Sequence, residues 1–259
     1  MLLLAAAVVL AQSPGPDKAP ITPSKKIVLF DGRSLGSFYV WLRDTRYEDP
    51  KKVFSIQNKL LRISGEEWGG IATRDSYRDY HLVVEWKWGG PAYGNRKDKA
   101  RDSGVLVHAR GADGAASGVW LESVEAQIIE GGTGDLLLVA GSTRPSLTVE
   151  TRTGPDNQLY WQRGGTPVTR DRGRFNWYGR DVNWKDSLGY RGARDVEKPV
   201  GQWNRYEIIC DGGKITNKLN GAIVNEGSNA SPSEGKIQIQ SEGAEILIRR
   251  IELRPLRKQ

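Results

Sequence analysis

The stretch Tyr80 to Trp88, YHLVVEWKW, is the strongest indication of the fold because its side chains alternate between two faces. One face would carry the large apolar side chains of Tyr80, Leu82, Val84, Trp86 and Trp88. The other face would carry those of His81, Val83, Glu85 and Lys87. A period of two predicts a β-strand, and two unlike faces are typical of an antiparallel sheet.

Further strand and turn signals lie on both sides of this stretch. VFSIQNKLLRIS predicts a hairpin around Gln57 and Asn58, and KITNKLNGAIVN places Asn220-Gly221 between two alternating runs, a strong signal for a tight turn. KIQIQ and EILIRRIELRPL predict strands near the C-terminus, and no run of ten or more residues has helical periodicity. The sequence therefore predicts an all-β, two-sheet antiparallel β-sandwich.

The charge distribution and the cysteine count exclude some kinds of partner and cross-link. The 259 residues carry a net charge of +7, but Lys and Arg are interleaved with Asp and Glu and form no basic block, so we expect no nucleic-acid partner. The single cysteine, Cys210, excludes an intramolecular disulfide, and its place in the apolar run YEIIC predicts a buried structural thiol.

The N-terminus, MLLLAAAVVLAQSPGPDKAP, predicts an export signal, although no Lys or Arg precedes its apolar run. We assign residues 1–11 to a signal peptide, 12–25 to a Pro-rich linker and 26–259 to one β-sandwich domain. The apolar run is too short for a membrane anchor, and no other segment approaches the length needed to span a bilayer. The prediction is a secreted or periplasmic protein without a transmembrane segment.

The segment from about 142 to 201 interrupts the strand pattern. It is polar and rich in Arg, Asp and Gly, yet it also carries many aromatic residues, among them Trp177 and Trp184. Long loops in compact domains are disordered or functional, and aromatic density disfavours disorder. We predict an ordered insertion that folds over one face of the sandwich, either to bind a ligand or to pack its own aromatic side chains.

Carboxylates in an otherwise apolar strand mark the candidate site. In SVEAQIIEGGTGDL, Val124, Ala126 and Ile128 should enter the core, while Glu125 and Gln127 share the opposite face. Burying such groups is costly unless they are paired or line a cleft. Glu130 would reach their face only through a β-bulge, a feature common beside active sites.

The spacing Glu-x-Gln-x-x-Glu resembles the Glu-x-Asp-x-x-Glu strand of retaining β-glucanases, with Gln127 in place of the Asp. A retaining pair needs carboxyl groups about 5–5.5 Å apart. Five extended residues span roughly 16 Å. This distance disfavours ordinary glycosidase chemistry at Glu125 and Glu130.

A broader resemblance covers roughly Lys26 to Leu256. Six segments occur in the order expected of the 3-keto-disaccharide hydrolase domain family: VLFDGRSLGSF, GGIATRDSYRDYHLVVEWKW, RDSGVLVHARG, SVEAQIIEGGTGDLLLV, VEKPVGQWNRYEIICDGGKITNKLNGAIVNEG and GKIQIQSEGAEILIRRIELRPL. The resemblance implies a concanavalin-like jelly roll, export, and breakdown of 3-keto-glycosides.

That chemistry defines the groups to look for. A ketone at C3 of a pyranose acidifies the hydrogen on C2, so a base can remove it and the oxygen on C1 can leave. Such an enzyme needs a base, an electrophile at the developing enolate oxygen and an acid for the leaving group, but no nucleophile.

Glu125 is our first candidate for the base, with His108 and Glu130 as further catalytic candidates. His108 would share the face of Leu106, and a structural role for it is equally consistent with the sequence. Glu125, His108 and Glu130 are also the candidate ligands of a divalent metal ion, although one His with carboxylates does not select a metal.

Several residues are candidates for sugar binding. They comprise an amide, a carboxylate, two arginines and two stacking aromatic residues: Gln127, Asp135, Arg74, Arg101, Trp177 and Trp184. The glycines of GGTG, residues 131–134, would admit a ligand close to the backbone or simply form a turn. A structural role for Glu125 would instead pair it with Arg74 or Arg110.

Two functions remain open from the sequence. One is an exported enzyme that cleaves the glycosidic bond of 3-keto-glycosides, by elimination or hydrolysis, with a carbohydrate as its substrate. The alternative is a non-catalytic, lectin-like module that holds a glycan on its aromatic insertion.

Overall fold

Alternating side chains build two antiparallel β-sheets that pack face to face, in a computed structural model that describes residues 18–256. In chain order the strands are β1 (Ile27–Phe30), β2 (Phe38–Leu42), β3 (Phe54–Gln57), β4 (Leu60–Ile63), β5 (Gly69–Thr73), β6 (Tyr80–Ala92), β7 (Asp102–Arg110), β8 (Glu122–Ile129), β9 (Leu136–Val139), β10 (Ser146–Thr153), β11 (Leu159–Trp161), β12 (Thr166–Arg170), β13 (Gly173–Phe175), β14 (Asn204–Asp211), β15 (Lys214–Leu219), β16 (Ala222–Ser231), β17 (Lys236–Ser241) and β18 (Ala244–Pro255).

The larger sheet has 11 strands in the order β11-β10-β16-β15-β14-β6-β18-β4-β3, with β12 also pairing β10 and β1 also pairing β18. The smaller sheet has 7 strands in the order β13-β9-β8-β7-β17-β5-β2. Most neighbours are distant in sequence, so the strands cross between sheets as in a sandwich rather than forming a simple meander. The predicted all-β, two-sheet fold is confirmed.

The main core lies between the sheets and follows the predicted alternation. The five large side chains of β6 from Tyr80 to Trp88 are buried there, and Val124, Ala126 and Ile128 enter the same core from β8. Cys210 is also buried in this core as a free thiol, as its apolar strand predicts. Because side chains on a strand alternate, the neighbours of these residues on β8 must face away from the larger sheet.

Both predicted hairpin turns form. Asn58 and Lys59 connect β3 to β4 with φ of 50° and 62°, and Asn220-Gly221 connects β15 to β16 with φ of 49° and 93°. Positive φ at both central residues matches the right-handed twist of the paired strands, and Asn and Gly tolerate it best.

The segment 142–201 contributes strands to both sheets instead of only covering one face. β10, β11 and β12 extend the larger sheet, whereas β13 adds to the edge of the smaller sheet beside β9. From 176 to 203 the chain forms turns that reach the end of β8, where Trp184 Nε1 donates to the carbonyl of Glu130 at 2.8 Å.

The assigned signal peptide, residues 1–11, lies outside the described residues. Within residues 18–256, no helix has the length and apolar character needed to cross a membrane.

Candidate functional site

The face of the smaller sheet that points away from the larger sheet carries the polar residues of β8. A row of directly paired residues crosses all seven strands of this outer face: Tyr39, Ala72, Gln238, Leu106, Glu125, Leu137 and Arg174. On one side of Glu125, the 111–121 loop packs on Leu106 in a second apolar cluster. On the other side, β13 places Arg174 at the end of the row. The alternation of β8 therefore sets Glu125 between an apolar cover and a cation.

Glu125 is only 4% exposed, and its Oε1 has no hydrogen-bond partner among the described residues. Room for this carboxyl comes from Gly104 on the neighbouring strand β7. A Cβ at Gly104 would lie 2.2 Å from Glu125 Oε1 and 2.5 Å from Gln240 Oε1, which is also unpartnered. Only glycine leaves this space open, so two buried acceptor oxygens face the same small volume.

Two further carboxyl groups surround Glu125. Asp102 Oδ1 accepts a hydrogen bond from Gln127 Nε2 at 2.6 Å, and its Oδ2 lies 3.2 Å from Arg96 Nη2. Burial, and then the charge of Asp102, raise the pKa of Glu125 to about 8. Burial also raises the pKa of Asp102 to about 7 and holds the pKa of Glu242 well above its usual range. A carboxyl group whose pKa is close to neutral can exchange a proton with a substrate at neutral pH.

Arg174 supplies the positive charge. Its Nη1 donates to Asp135 Oδ2 at 2.5 Å, and its Nη2 donates to Gln127 Oε1 at 3.3 Å. Its charge lowers the pKa of Glu125 and so opposes the effect of burial. The cation beside Glu125 is thus Arg174 from the insertion, rather than Arg74 or Arg110.

Asp135 anchors this part of the insertion. It is fully buried, it accepts hydrogen bonds from Arg174 and Arg180, and its Oδ1 accepts the backbone N–H of Trp177 at 2.7 Å. These contacts fix the position of Arg174 relative to Glu125.

The predicted bulge that would bring Glu130 to the face of Glu125 does not form. The pairing of β8 with β7 is regular from Gln127 to Ile129, and Glu130 follows the last residue of the strand. Its Oε1 lies 2.7 Å from Arg101 Nη1, and its Oε2 accepts the backbone N–H groups of Arg101 and Gly189. Glu130 and Arg101 therefore form a buried ion pair that ties β7 to the insertion.

The prediction that His108 shares the outer face with Leu106 is wrong. The register of β7 shifts between Val107 and Arg110, and His108 adopts a φ of 54° within this irregularity. Its fully buried ring lies edge-on to Tyr80 of the larger sheet, with centroids 6.3 Å apart, so the imidazole is between the sheets. Burial lowers the pKa of His108 to about 4, which keeps the ring neutral.

The three candidate metal ligands do not form one site. His108 packs in the core, Glu130 is paired with Arg101, and Glu125 lies on the outer face. Within residues 18–256, no group of three His, Cys, Asp or Glu side chains is arranged to hold a metal ion.

The remaining candidates for sugar binding have different surroundings. The side chain of Trp177 is 1% exposed and lies within the main core, so its ring is closed to a sugar. Trp184 is half-buried, with the guanidinium of Arg180 at 4.3 Å from its ring centroid. Arg74 follows β5, where its backbone N–H donates to Ser37. Of the two tryptophans, only Trp184 leaves part of its ring accessible.

The glycines of the GGTG segment leave room for side chains of the insertion to pack against the backbone. A Cβ at Gly131 would lie 2.7 Å from Tyr190 and 3.0 Å from Trp184, and one at Gly132 would lie 2.0 Å from Arg180. Gly131 also has a φ of 75°, which favours glycine. The close approach predicted for a ligand is made here by the chain's own side chains.

Arg174, Gln240 and Glu242 did not emerge as site residues from the sequence, whereas Asp102 could be placed only at the rim of a cleft beside Arg101 or in an exposed pair with it. A signal existed for Gln240, because KIQIQSE places Gln238 and Gln240 at alternating positions, as SVEAQ does with Glu125 and Gln127. No comparable pattern marks Arg174, which is one of many arginines in the insertion.

Solved structures with the same fold include two proteins from Parabacteroides distasonis ATCC 8503, each described as a "putative glycosyl hydrolase". One is 21% identical to this chain, with a TM-score of 0.50, and the match covers 90% of this chain and 100% of the other. The second is 14% identical, with a TM-score of 0.53 and coverage of 90% and 94%. These likenesses establish the fold, a two-sheet jelly roll. A search of curated proteins found no match.

Family assignment rests on the sequence as a whole. Residues 25–254 match the model of the 3-keto-alpha-glucoside-1,2-lyase-like domain. This range includes the residues that we call the Glu125 cluster, namely Glu125, Asp102, Gln127, Arg174, Gln240 and Glu242. Because this match spans most of the chain, the protein belongs to the 3-keto-alpha-glucoside-1,2-lyase-like domain family and is a carbohydrate-active protein.

Proposed function

We propose that the protein cleaves the glycosidic bond of 3-keto-glycosides, with Glu125 as the base that removes the proton from C2. The proposal rests on the surroundings of the Glu125 carboxyl group. It is buried, its Oε1 has no hydrogen-bond partner within residues 18–256, and its pKa is raised to about 8 beside the cation of Arg174. Membership of a 3-keto-alpha-glucoside-1,2-lyase-like family supports this choice of substrate.

The reaction begins when the carboxylate of Glu125 takes the C2 proton. The electron pair of the C2–H bond forms the C2=C3 double bond, and the ketone oxygen becomes an enolate oxygen. When the carbonyl re-forms, the electron pair shifts to make the C1=C2 bond, and the bond from C1 to the leaving oxygen breaks. The protonated Glu125 gives its proton to that oxygen, so the alcohol leaves, the carboxylate is restored and an enone remains. Addition of water to the enone would complete a net hydrolysis.

Arg174 is suited to stabilise the enolate oxygen. Its guanidinium is held by Asp135 and Gln127, so it is already oriented before charge develops. A fixed cation in a water-poor site stabilises developing negative charge more than a solvated one does, because little reorganisation is needed during the reaction. Asp102 and Gln240 complete the site by holding Gln127 and facing Glu125.

We also propose that the protein is secreted or periplasmic, on the basis of the apolar N-terminal run and the Pro-rich segment that follows it.

The pH dependence of kcat/KM should report the protonation of Glu125. A base works only when deprotonated, and the pKa of Glu125 is raised to about 8. We therefore expect kcat/KM to rise with pH up to about pH 8 and then to level off. The Asp102 carboxyl is close enough to shift the apparent value, so the profile reports the pair. A rate that falls as pH rises over this range would assign Glu125 the role of an acid and contradict the proposal.

The decisive experiment incubates the purified protein with a 3-keto-glucoside and with its unoxidised parent, and follows release of the aglycone. Release from the keto sugar alone would support the proposal. Release from both would indicate ordinary glycosidase activity, and binding without release would favour the lectin-like alternative. A parallel assay with a chelator tests whether a metal ion takes part.

A further inference from the structure

A recess separate from the Glu125 cluster lies at the edge of the larger sheet, where the insertion meets the β15–β16 hairpin. It has a volume of about 640 Å³, within the range of roughly 300–1,000 Å³ typical of sites for small ligands. The side chains that define it come from the insertion, including its strands β10 and β11, and from β16: Arg152, Trp161, Arg163, Tyr178, Arg194 and Ile223. None of these residues belongs to a strand of the smaller sheet.

The inner part of the recess is apolar and aromatic. The rings of Trp161 and Tyr178 meet edge to face, with centroids 6.0 Å apart and an interplanar angle of 64°. Tyr178 and Ile223 are both partly exposed on the wall. Aromatic and aliphatic surfaces of this kind suit the C–H face of a pyranose, because stacking buries apolar surface while the hydroxyl groups stay in water.

Three arginines give the recess its charge, and their partners differ. Arg163 Nη2 donates to Glu226 at 2.8 Å, so its charge is offset. Arg152 lies 4.6 Å from the ring centroid of Tyr160 and donates to the carbonyl of Tyr178 at 3.5 Å, without a carboxylate in ion-pair contact among residues 18–256. Arg194 is exposed and makes no hydrogen bond or ion pair within that range.

The recess therefore combines a sugar-sized apolar wall with two guanidinium groups that are not held in ion pairs among residues 18–256: Arg194, which is exposed, and Arg152, which acts on Asp156 only through its charge. Guanidinium groups bind carboxylate and sulfate through paired N–H donors and are less strongly hydrated than an ammonium group. A neutral glycan would leave the Arg194 guanidinium group without an anionic partner in the bound state.

We propose that this recess binds an anionic carbohydrate, namely a sugar whose ring carries a carboxylate or a sulfate group. The site is independent of the reaction proposed for Glu125, since the two share no residue. It would hold the protein on an acidic polysaccharide while the Glu125 cluster acts on its own substrate.

Calorimetric titration of the full protein tests this proposal with three probes of equal length: an oligoglucuronate, a sulfated gluco-oligosaccharide and the unmodified gluco-oligosaccharide. We expect at least one acidic probe to bind at least about tenfold more tightly than the neutral one, because charge-assisted hydrogen bonds are the strong ones. Comparison of the two acidic probes identifies which anionic group the recess takes. Equal affinity for all three would overturn the proposal.

Variants distinguish binding of the acidic probe in the recess from non-specific attraction of the probe to a basic protein. Arg152→Gln and Arg194→Gln should each weaken binding of the acidic probe by about tenfold, and Tyr178→Ala should weaken it as well. Arg33→Gln removes the same charge from an exposed site elsewhere and should leave binding unchanged. Because Arg194 is exposed, its variant should fold normally. Equal losses in Arg33→Gln and Arg194→Gln would show non-specific attraction and contradict the proposed site.

Cleavage of a 3-keto-glucoside should be unaffected by Arg194→Gln, and Glu125→Gln should not affect binding of the acidic probe.

Discussion

Glu125→Gln is expected to lower kcat for a 3-keto-glucoside by about 100- to 10,000-fold, the usual contribution of a general base. The amide has nearly the same shape as the carboxyl and fits beside Gly104 and Gln240, but it cannot accept the C2 proton. Glu125 is buried, its Oε1 has no hydrogen-bond partner in the described part of the chain, and its pKa is raised, so replacing it with a neutral group should not unfold the domain. The measurement is turnover under saturating substrate, with the melting temperature recorded alongside.

Glu207→Gln provides a matched control. Glu207 is a partly buried carboxylate in the larger sheet that lies 2.9 Å from His81 Nε2, outside the Glu125 cluster. The same chemical change there should leave kcat unchanged. Full activity in Glu125→Gln would show that another group removes the proton, and Asp102 would be the first to test because its pKa is also raised.

Asp135→Asn should lower the free energy of unfolding by about 3–5 kcal/mol, because it removes the charge of a fully buried carboxylate that pairs with the buried Arg180 and with Arg174. The variant leaves Arg180, which is also buried, without its anionic partner, and it weakens the contacts of Arg174 and Trp177. We expect a matching loss of activity, since Arg174 would no longer be held beside Glu125. Urea denaturation followed by tryptophan fluorescence measures the loss of stability.

Asp171→Asn is the corresponding control for this prediction. Asp171 pairs with Arg144 at 2.8 Å, but both side chains are about half exposed, so solvent screens the pair. Its replacement should leave the unfolding transition unchanged. If Asp135→Asn behaved like Asp171→Asn, the arginines would have other partners, and Asp135 would be free for the substrate-binding role predicted from the sequence.

Much of the fold follows from local pattern. The alternation in β6 predicts which side chains enter the core, and Asn220-Gly221 predicts a turn of the observed kind. The alternation of β8 likewise predicts that Val124, Ala126 and Ile128 enter the core, which leaves Glu125 and Gln127 for the other face. These predictions succeed because the period of a strand and the φ preferences of Asn and Gly are properties of a few consecutive residues.

Predictions from strand alternation were wrong at two places. On β7 the alternation is interrupted where we expected it to be regular, and at the end of β8 it is regular where we expected an interruption. A bulge was expected near Glu130 and occurs instead at His108, so Glu130 stays off the outer face and His108 turns into the core. A one-residue change of register reverses the direction of a side chain, and nothing in either short segment shows where the irregularity falls.

Strand periodicity and the six ordered segments are sufficient to predict the two-sheet fold, the family and the position of Glu125 outside the core. The surroundings of Glu125 are seen only in three dimensions: Gly104 and Gln240 from neighbouring strands, Asp102 beside it, and Arg174 from a distant insertion. Backbone alternation is local and sets which face a side chain occupies, whereas the pKa and reactivity of a carboxyl depend on charges and burial supplied by strands that are far apart in the chain.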